Sequence, residues 1–286
     1  MNTVGITGAS GFIGAHLVNA FQAGGWHVRA LVRDPRHPEL TGVESMPYDL
    51  REPVEDQTVA GLDALVHAAL DKSDDRVNVD GTRRLMSAAQ AAGVGRRVFI
   101  STVSARVDAV TGYARQKLAC EQLMDRDTDV VVRAGLVIGA GGLVGDSVSF
   151  LRRFHVLPLI DGGRQPVQTV GVDDLARAVV QVCASTSTLS GVYTIADPRA
   201  RSIREVYTAI ADALDIRVLV LPIPFWMPLF AARASARLGV RLPITEDNLR
   251  GLRTNQIVDT ADDLRQLGLS LAPLEDLARG LADATE

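Results

Sequence analysis

The amino-terminal end sets the strongest limit on what this chain can fold into. A short β-branched run, Thr3-Val4-Gly5-Ile6-Thr7, passes through Gly8-Ala9-Ser10-Gly11-Phe12-Ile13-Gly14 into the helical-looking Ala15-His16-Leu17-Val18-Asn19-Ala20-Phe21. Strand, glycine-rich turn and helix, in that order, form the first half of a dinucleotide-binding βαβ unit. Gly8 is expected to permit the tight turn, Gly11 to let the backbone approach a pyrophosphate, and Gly14 to let the helix pack closely on the strand. Ser10, Phe12 and Ile13 complete the expected cofactor loop, where free amides and the helix dipole receive phosphates. The spacing is G-x-x-G-x-x-G rather than G-x-G-x-x-G, so its weight comes from its position between strand and helix.

The next strand, His27-Val28-Arg29-Ala30-Leu31-Val32, ends in Arg33-Asp34-Pro35-Arg36. An acid at this strand end binds the ribose 2′-hydroxyl of NAD, whereas an arginine accommodates the 2′-phosphate of NADP. Val32 stands where the acid is sought and Arg33 follows it, which favours NADP with NAD as the alternative. Pro35 marks Asp34 as the opening of a turn. Strands and helices alternate up to about residue 134, which predicts an α/β fold: a parallel, doubly wound sheet with helices on both faces. Beyond it, helices are expected over 146–155, 173–184 and 202–214, the last with Ser202 as N-cap, and a strand over 191–195.

The chain has only two lysines, Lys72 and Lys117, and Lys117 lies four residues after Tyr113. On a helix this spacing puts phenol and ammonium on one face, where the cation favours the phenolate. A tyrosine lowered by two or three units from about 10 becomes a usable acid or base near neutrality. An exposed helix face that happens to carry both residues is the bland alternative.

With Gly8-x-x-Gly11-x-x-Gly14 and Tyr113-x-x-x-Lys117 together, the chain resembles the short-chain dehydrogenase/reductase superfamily, in its extended and atypical, epimerase/dehydratase-like branches. Leu65-Val66-His67-Ala68-Ala69 resembles the end of the family's fourth strand, and Asn78-Val79-Asp80-Gly81-Thr82 the start of the following long helix. Arg97-Val98-Phe99-Ile100-Ser101-Thr102 resembles the fifth strand, which ends in the catalytic hydroxyl. Arg133-Ala134-Gly135-Leu136-Val137-Ile138-Gly139 resembles the segment after the sixth strand, with Ala134 in place of the usual proline. Val172-Asp173-Asp174-Leu175-Ala176 resembles the branch's helix start between cofactor and substrate regions.

The resemblance implies a Rossmann domain over 1–160 and a smaller substrate-binding region over 161–286, discontinuous because late strands return to the main sheet. It implies that Tyr113 exchanges a proton with the substrate and that Lys117 binds the nicotinamide ribose and lowers the tyrosine pKa. Thr102 is expected to hold the reacting oxygen, with Ser101 and Ser104 as alternatives. Asp49, Leu50, Ala68 and Ala69 join the glycine loop, Arg33 and Lys117 in the expected cofactor-binding set. The stretch between Thr102 and Tyr113 is shorter than in most sugar-nucleotide enzymes of the branch, which argues against a sugar nucleotide as substrate.

The charge is mixed and mildly acidic, −4 overall, so nothing favours nucleic acid or an anionic surface. Cys120 and Cys183 read as buried free thiols, and Met1-Asn2 leads straight into the first strand with no secretory signal, so a reducing cytoplasm is expected. The five histidines are dispersed without metal-ligand spacing. No run is long and apolar enough to span a bilayer. Pro222-Ile223-Pro224-Phe225-Trp226-Met227-Pro228-Leu229-Phe230 reads as a loop and helix start packed on the core, a wall around an apolar substrate, or a peripheral membrane contact.

The expected partners are therefore a small substrate with apolar character and, for assembly, a second copy of the chain. The leading expectation is an NADP(H)-dependent oxidoreductase acting on a carbonyl or secondary alcohol. An NAD(P)-dependent epimerase or dehydratase is a second. An NADPH-binding structural or assembly protein, related to accessory subunits of respiratory complex I, is a third.

Overall fold

A computed structural model describes residues 1–185, 189–227 and 256–284. In chain order, the first half contains β1 (Thr3–Thr7), α1 (Phe12–Ala23), β2 (His27–Val32), β3 (Glu44–Pro47), α2 (Asp56–Val59) and β4 (Ala64–His67). It continues with α3 (Asp75–Ala91), β5 (Arg96–Thr102), α4 (Gly112–Glu121), β6 (Val130–Ala134), β7 (Leu136–Ile138) and α5 (Gly142–Phe154). Then come β8 (Val156–Ile160), β9 (Pro166–Val167), β10 (Thr169–Gly171), α6 (Val172–Ala184), β11 (Gly191–Ile195) and β12 (Arg201–Ser202). The described chain ends with α7 (Ile203–Ala213), β13 (Leu219–Ile223), α8 (Ala261–Gln266) and α9 (Leu274–Asp283).

Seven strands form one sheet in the order β3-β2-β1-β4-β5-β6-β11, every neighbouring pair parallel. The chain winds outward from β1 to β3, then returns to lay β4 on the other side of β1. That reversal opens a crevice at the carboxyl ends of β1 and β4, where open α/β sheets bind ligands. The last strand of the sheet, β11, pairs with β6.

Period-2 alternation sorts the two faces. Val98, Ile100, Val130 and Val132 join a core with Leu17, Val18 and Phe21 of α1 and Leu175, Val179 and Val182 of α6. Phe99 and Val131, one residue out of phase, pack with Leu85, Met86 and Ala89 of α3 and Cys120 of α4. A third core lies among α5, β8, α7 and α9, with Val148, Leu151, Leu157, Leu159, Ile210 and Leu281 buried together. Helix α7 begins as the sequence indicates: Ser202 Oγ accepts from the Glu205 amide, and the Glu205 carboxylate accepts from the Ser202 amide, a reciprocal cap.

The run from residue 222, one of whose readings is a loop and helix start packed on the core, departs from that reading at Pro222 and Ile223. Leu219–Ile223 is strand β13, parallel to β8, because β8 offers it a backbone edge that only the fold reveals. Residues 228–230 of that apolar run lie outside the described residues.

Candidate cofactor and active site

The glycine turn is shaped by contacts that leave no room for side chains. Gly8 has φ +68°, and a Cβ there would lie 2.9 Å from the Ala69 backbone. A Cβ on Gly14 would lie 2.0 Å from the Gly8 carbonyl oxygen, so the first turn of α1 sits directly on the loop. Gly11 is the N-cap of α1; no side chain caps this helix and its first turn carries no acid. Uncapped amides at a helix start behind a side-chain-free loop fit a pyrophosphate. Phe12, expected among the cofactor residues, turns its ring onto another glycine turn: a Cβ on Gly141 would meet it at 2.5 Å. Ser10 and Ile13 flank that turn and are half-buried.

Arg33 follows β2 and is exposed. Asp34 opens a turn, its carboxylate accepting from the Arg36 amide at 3.0 Å and its carbonyl from His37 at 3.2 Å. Asp49 folds its own loop by accepting from the Arg51 amide at 2.8 Å. Leu50 is buried; Gly81 of α3 presses on it so closely that a Cβ would lie 2.6 Å from its carbonyl. Arg51 pairs at 2.5 Å with Asp71, whose carboxyl is pulled down to about 2 by hydrogen bonds from Ser73 and by that arginine.

Ala68 and Ala69 end β4 against Gly8, and a buried relay that the sequence did not reveal holds them. Both amides donate to Thr7 Oγ1 at 3.1 Å. That leaves the Thr7 proton for His67 Nδ1 at 2.7 Å, so the ring carries its own proton on Nε2 and donates to Thr82 Oγ1 at 2.9 Å. Thr82 Oγ1 in turn donates a hydrogen bond to the Asn78 carbonyl at 2.7 Å. Burial, and secondarily the charge of Lys117, push the His67 pKa down to about 3, so the imidazole is neutral.

The end of β5 separates the three candidate hydroxyls. Ser101 shares the Phe99 face and donates to Glu121 Oε1 at 2.5 Å; Arg133 clamps the same buried carboxylate at 2.9 and 2.6 Å. Ser101 is thus committed to structure. Thr102, half-buried on the opposite parity, accepts from the Ser104 amide at 3.3 Å.

Helix α4 carries Tyr113 and Lys117 behind an N-cap, Thr111, that accepts from Ala114. Lys117 is buried; its Nζ donates to the Ile100 carbonyl at 2.8 Å and lies 4.7 Å from the Phe99 ring centroid. Desolvation lowers its pKa to about 8, against the opposing pull of Cys120 and Glu121. Tyr113 is 45 % exposed, and partial desolvation raises its pKa. The expected depression of the tyrosine is not found, because the ammonium is turned inward to Ile100. The shared helix brings Tyr113 and Lys117 together in sequence register, and Lys117 bonds the strand that ends in Thr102.

Toward the second half, His16 Nδ1 meets Asp173 Oδ1 at 2.6 Å, joining α1 to α6, and Asp174 accepts from the Ala272 amide at 2.8 Å. Phe225 donates its amide to Asp161 at 3.1 Å, while Trp226 is exposed. Cys120 and Cys183 are buried and free, as expected. Among the described residues no group of three or more His, Cys, Asp or Glu could hold a metal, and no helix is long and apolar enough to cross a membrane.

The model of the NAD dependent epimerase/dehydratase family matches residues 4–196. Among curated proteins, ceramide reductase of Caulobacter vibrioides is 35 % identical over 72 % of this chain and 66 % of that protein. The 4-hydroxy-2-methyl-3-oxo-4-farnesyl-3,4-dihydroquinoline-1-oxide ketoreductase of Stigmatella aurantiaca is 29 % identical over 83 % of this chain and 79 % of its own. Among solved structures, Citrobacter sp. triphenylmethane reductase complexed with NADP(H) superposes with a TM-score of 0.73 at 20 % identity, covering 98 % of this chain and all of its own.

Proposed function

This chain belongs to the NAD dependent epimerase/dehydratase family, and from that premise we propose that it is an NADP(H)-dependent oxidoreductase interconverting a ketone and a secondary alcohol on a substrate with a large apolar part. The observation that carries the reading is the junction of α4 with β5: Tyr113 and Lys117 on one helix, with Lys117 bonded to the strand that presents Thr102. In this reading Gly8, Gly11 and Gly14 with the amides at the start of α1 hold the pyrophosphate, and exposed Arg33 meets the 2′-phosphate. The bound dinucleotide supplies or accepts the hydride.

The chain's own residues handle the proton and the orientation. Thr102 Oγ1 hydrogen-bonds the reacting oxygen, with Ser104 beside it. Tyr113 Oη donates a proton to that oxygen as the ketone becomes an alcohol, and withdraws it in the reverse direction. In the resting site the raised pKa keeps Tyr113 protonated, and its proton becomes transferable near neutrality only when the phenol pKa is lowered. Lys117 holds the ribose and, once drawn toward it, lends its charge to the phenol. The two curated relatives support the substrate class: both are reductases by name, one acting on a ceramide and one on a farnesylated ring, each bearing hydrocarbon chains.

The test is NADPH oxidation with a panel of long-chain ketones, wild type against Tyr113→Phe. Loss of turnover by about a hundredfold with cofactor affinity intact is expected, the scale of general acid catalysis. Full activity in Tyr113→Phe would refute the mechanism. Product formation without net NADPH consumption would instead identify an epimerase or dehydratase. Tight NADPH binding with no turnover on any substrate would favour the assembly role.

A further inference from the structure

The strand pair β8–β13 is apolar on both faces: one packs on the third core except at the exposed Pro222, and the other is exposed at Leu219, Leu221 and Pro158 and half-buried at Val156, Ile160 and Ile223. Inward, Leu157 and Leu159 are buried in the third core and Val220 packs against it. Outward, the register sets Leu219 beside Val156, Leu221 beside Pro158 and Ile223 beside Ile160. Leu219 and Leu221 are 62 % and 43 % exposed, and Pro158 is exposed too. A parallel pair is ordinarily covered on both faces, and a strand face left to water ordinarily alternates to polar residues. Here every outward position is hydrocarbon.

Aromatic residues stand at both ends of the pair. Phe154 immediately precedes the turn residue His155 ahead of β8 and packs against Phe150 with ring centroids 4.7 Å apart and planes tilted by 44°; both are exposed. Beyond β13, Trp226 is 67 % exposed and Met227 is exposed beside it. Charge is distributed unevenly along this surface. The amino-terminal rim holds Arg152 and Arg153 in the last turn of α5 and the exposed Arg217 before β13, against Asp215. The Leu219 amide donates to the His155 carbonyl at 2.9 Å, which brings these two segments side by side. Arg153 lies over the Phe154 ring at 5.4 Å, a cation on an apolar support.

We propose that this face docks on the surface of an anionic lipid bilayer. Leu219, Leu221 and Trp226 enter the headgroup boundary, and the exposed Arg153 and Arg217 meet lipid phosphates. Apolar side chains with interfacial aromatics and an arginine rim are the composition that binds there without spanning. Binding is peripheral and salt-sensitive, and it places no demand on the cofactor site.

The experiment is co-sedimentation of the full chain with equimolar phosphatidylcholine–phosphatidylglycerol vesicles and with pure phosphatidylcholine vesicles. The protein is expected to pellet with the anionic vesicles and to be released by high salt. Leu219→Thr/Leu221→Thr introduces β-branched, strand-compatible residues and should weaken partitioning at least about tenfold, as should Arg153→Gln/Arg217→Gln on anionic vesicles alone. Fluorescence supplies a readout on the unaltered protein: Trp26 is buried, so a blue shift on adding anionic vesicles reports Trp226. No pelleting and no blue shift overturn the proposal. So does unchanged pelleting of the leucine variant, or a dimer in solution that the same substitutions dissociate, which would assign the face to a second copy of the chain.

Discussion

Replacing Lys117 with methionine separates what the buried ammonium does for the fold from what it does for chemistry. Its surroundings move the pKa from an ordinary 10.5 to about 8, with desolvation as the main cause. At neutral pH the folded protein therefore keeps a charge in a place that disfavours it, at a cost of about 3 kcal/mol at 1.4 kcal/mol per pH unit. Methionine removes that cost and fills similar volume, but takes one donor from the Ile100 carbonyl, worth about 1 kcal/mol. Lys117→Met should thus be more stable than wild type by about 2 kcal/mol at pH 7. The pH dependence gives the sharper check. Between pH 8 and 10.5 the unfolded lysine holds a proton that the folded one has released, so wild-type stability gains from this group as pH rises. The variant lacks that gain, and its advantage should vanish by pH 10.5. Urea titrations of both proteins from pH 7 to 10.5 measure it. Turnover and cofactor affinity should fall in the same variant. A Lys117→Met protein less stable than wild type at pH 7, with a difference that stays flat to pH 10.5, would refute the reasoning.

Gly14→Ala forces a methyl toward the Gly8 carbonyl, a backbone atom that cannot swing aside; a loss of about 1–3 kcal/mol in stability and of at least tenfold in NADPH affinity is expected, by thermal melting and calorimetry. Arg133→Met strands the buried Glu121 carboxylate that it clamps and should destabilise by about 3–5 kcal/mol. Adding Glu121→Gln should restore most of that in urea titrations. His67 is neutral in the fold and ordinary at 6.5 when unfolded, so acid drives unfolding from pH 6.5 down toward its folded value of about 3. His67→Gln should remove about 3 kcal/mol of the stability lost between pH 6.5 and 4, measured as the difference in slope from wild type.

Which features were legible in the sequence follows from how far apart the interacting residues are. The close seat of Gly14 on the Gly8 carbonyl and the Ser202–Glu205 cap depend on neighbours within a few residues, and chemistry at that range is written directly in the order of side chains. The alternating run to residue 134 fixed the parallel sheet for the same reason, since each strand and helix announces itself locally. The Tyr113–Lys117 spacing was equally visible, but its consequence was not. Helical register brings the two side chains to one helix, while the rotamer of Lys117 is decided by the Ile100 carbonyl, seventeen residues away.

The His67 relay spans sixty residues to Thr7 and fifteen to Thr82. The clamp on Glu121 needs Ser101 and Arg133 from two different strands. No periodicity encodes such pairings, because each partner alone is an ordinary polar residue. Strand β13 shows the same limit from the apolar side. Leu219-Val220-Leu221-Pro222-Ile223 has no polar position to mark an outer face, and its proline suggests a break. Only the edge offered by β8 makes it a strand, and only the register with Val156 and Pro158 shows that half of its hydrocarbon points away from the core. A sequence that writes both faces of a strand in hydrocarbon is written for two apolar environments. The fold supplies one of them, and the proposed bilayer surface supplies the other.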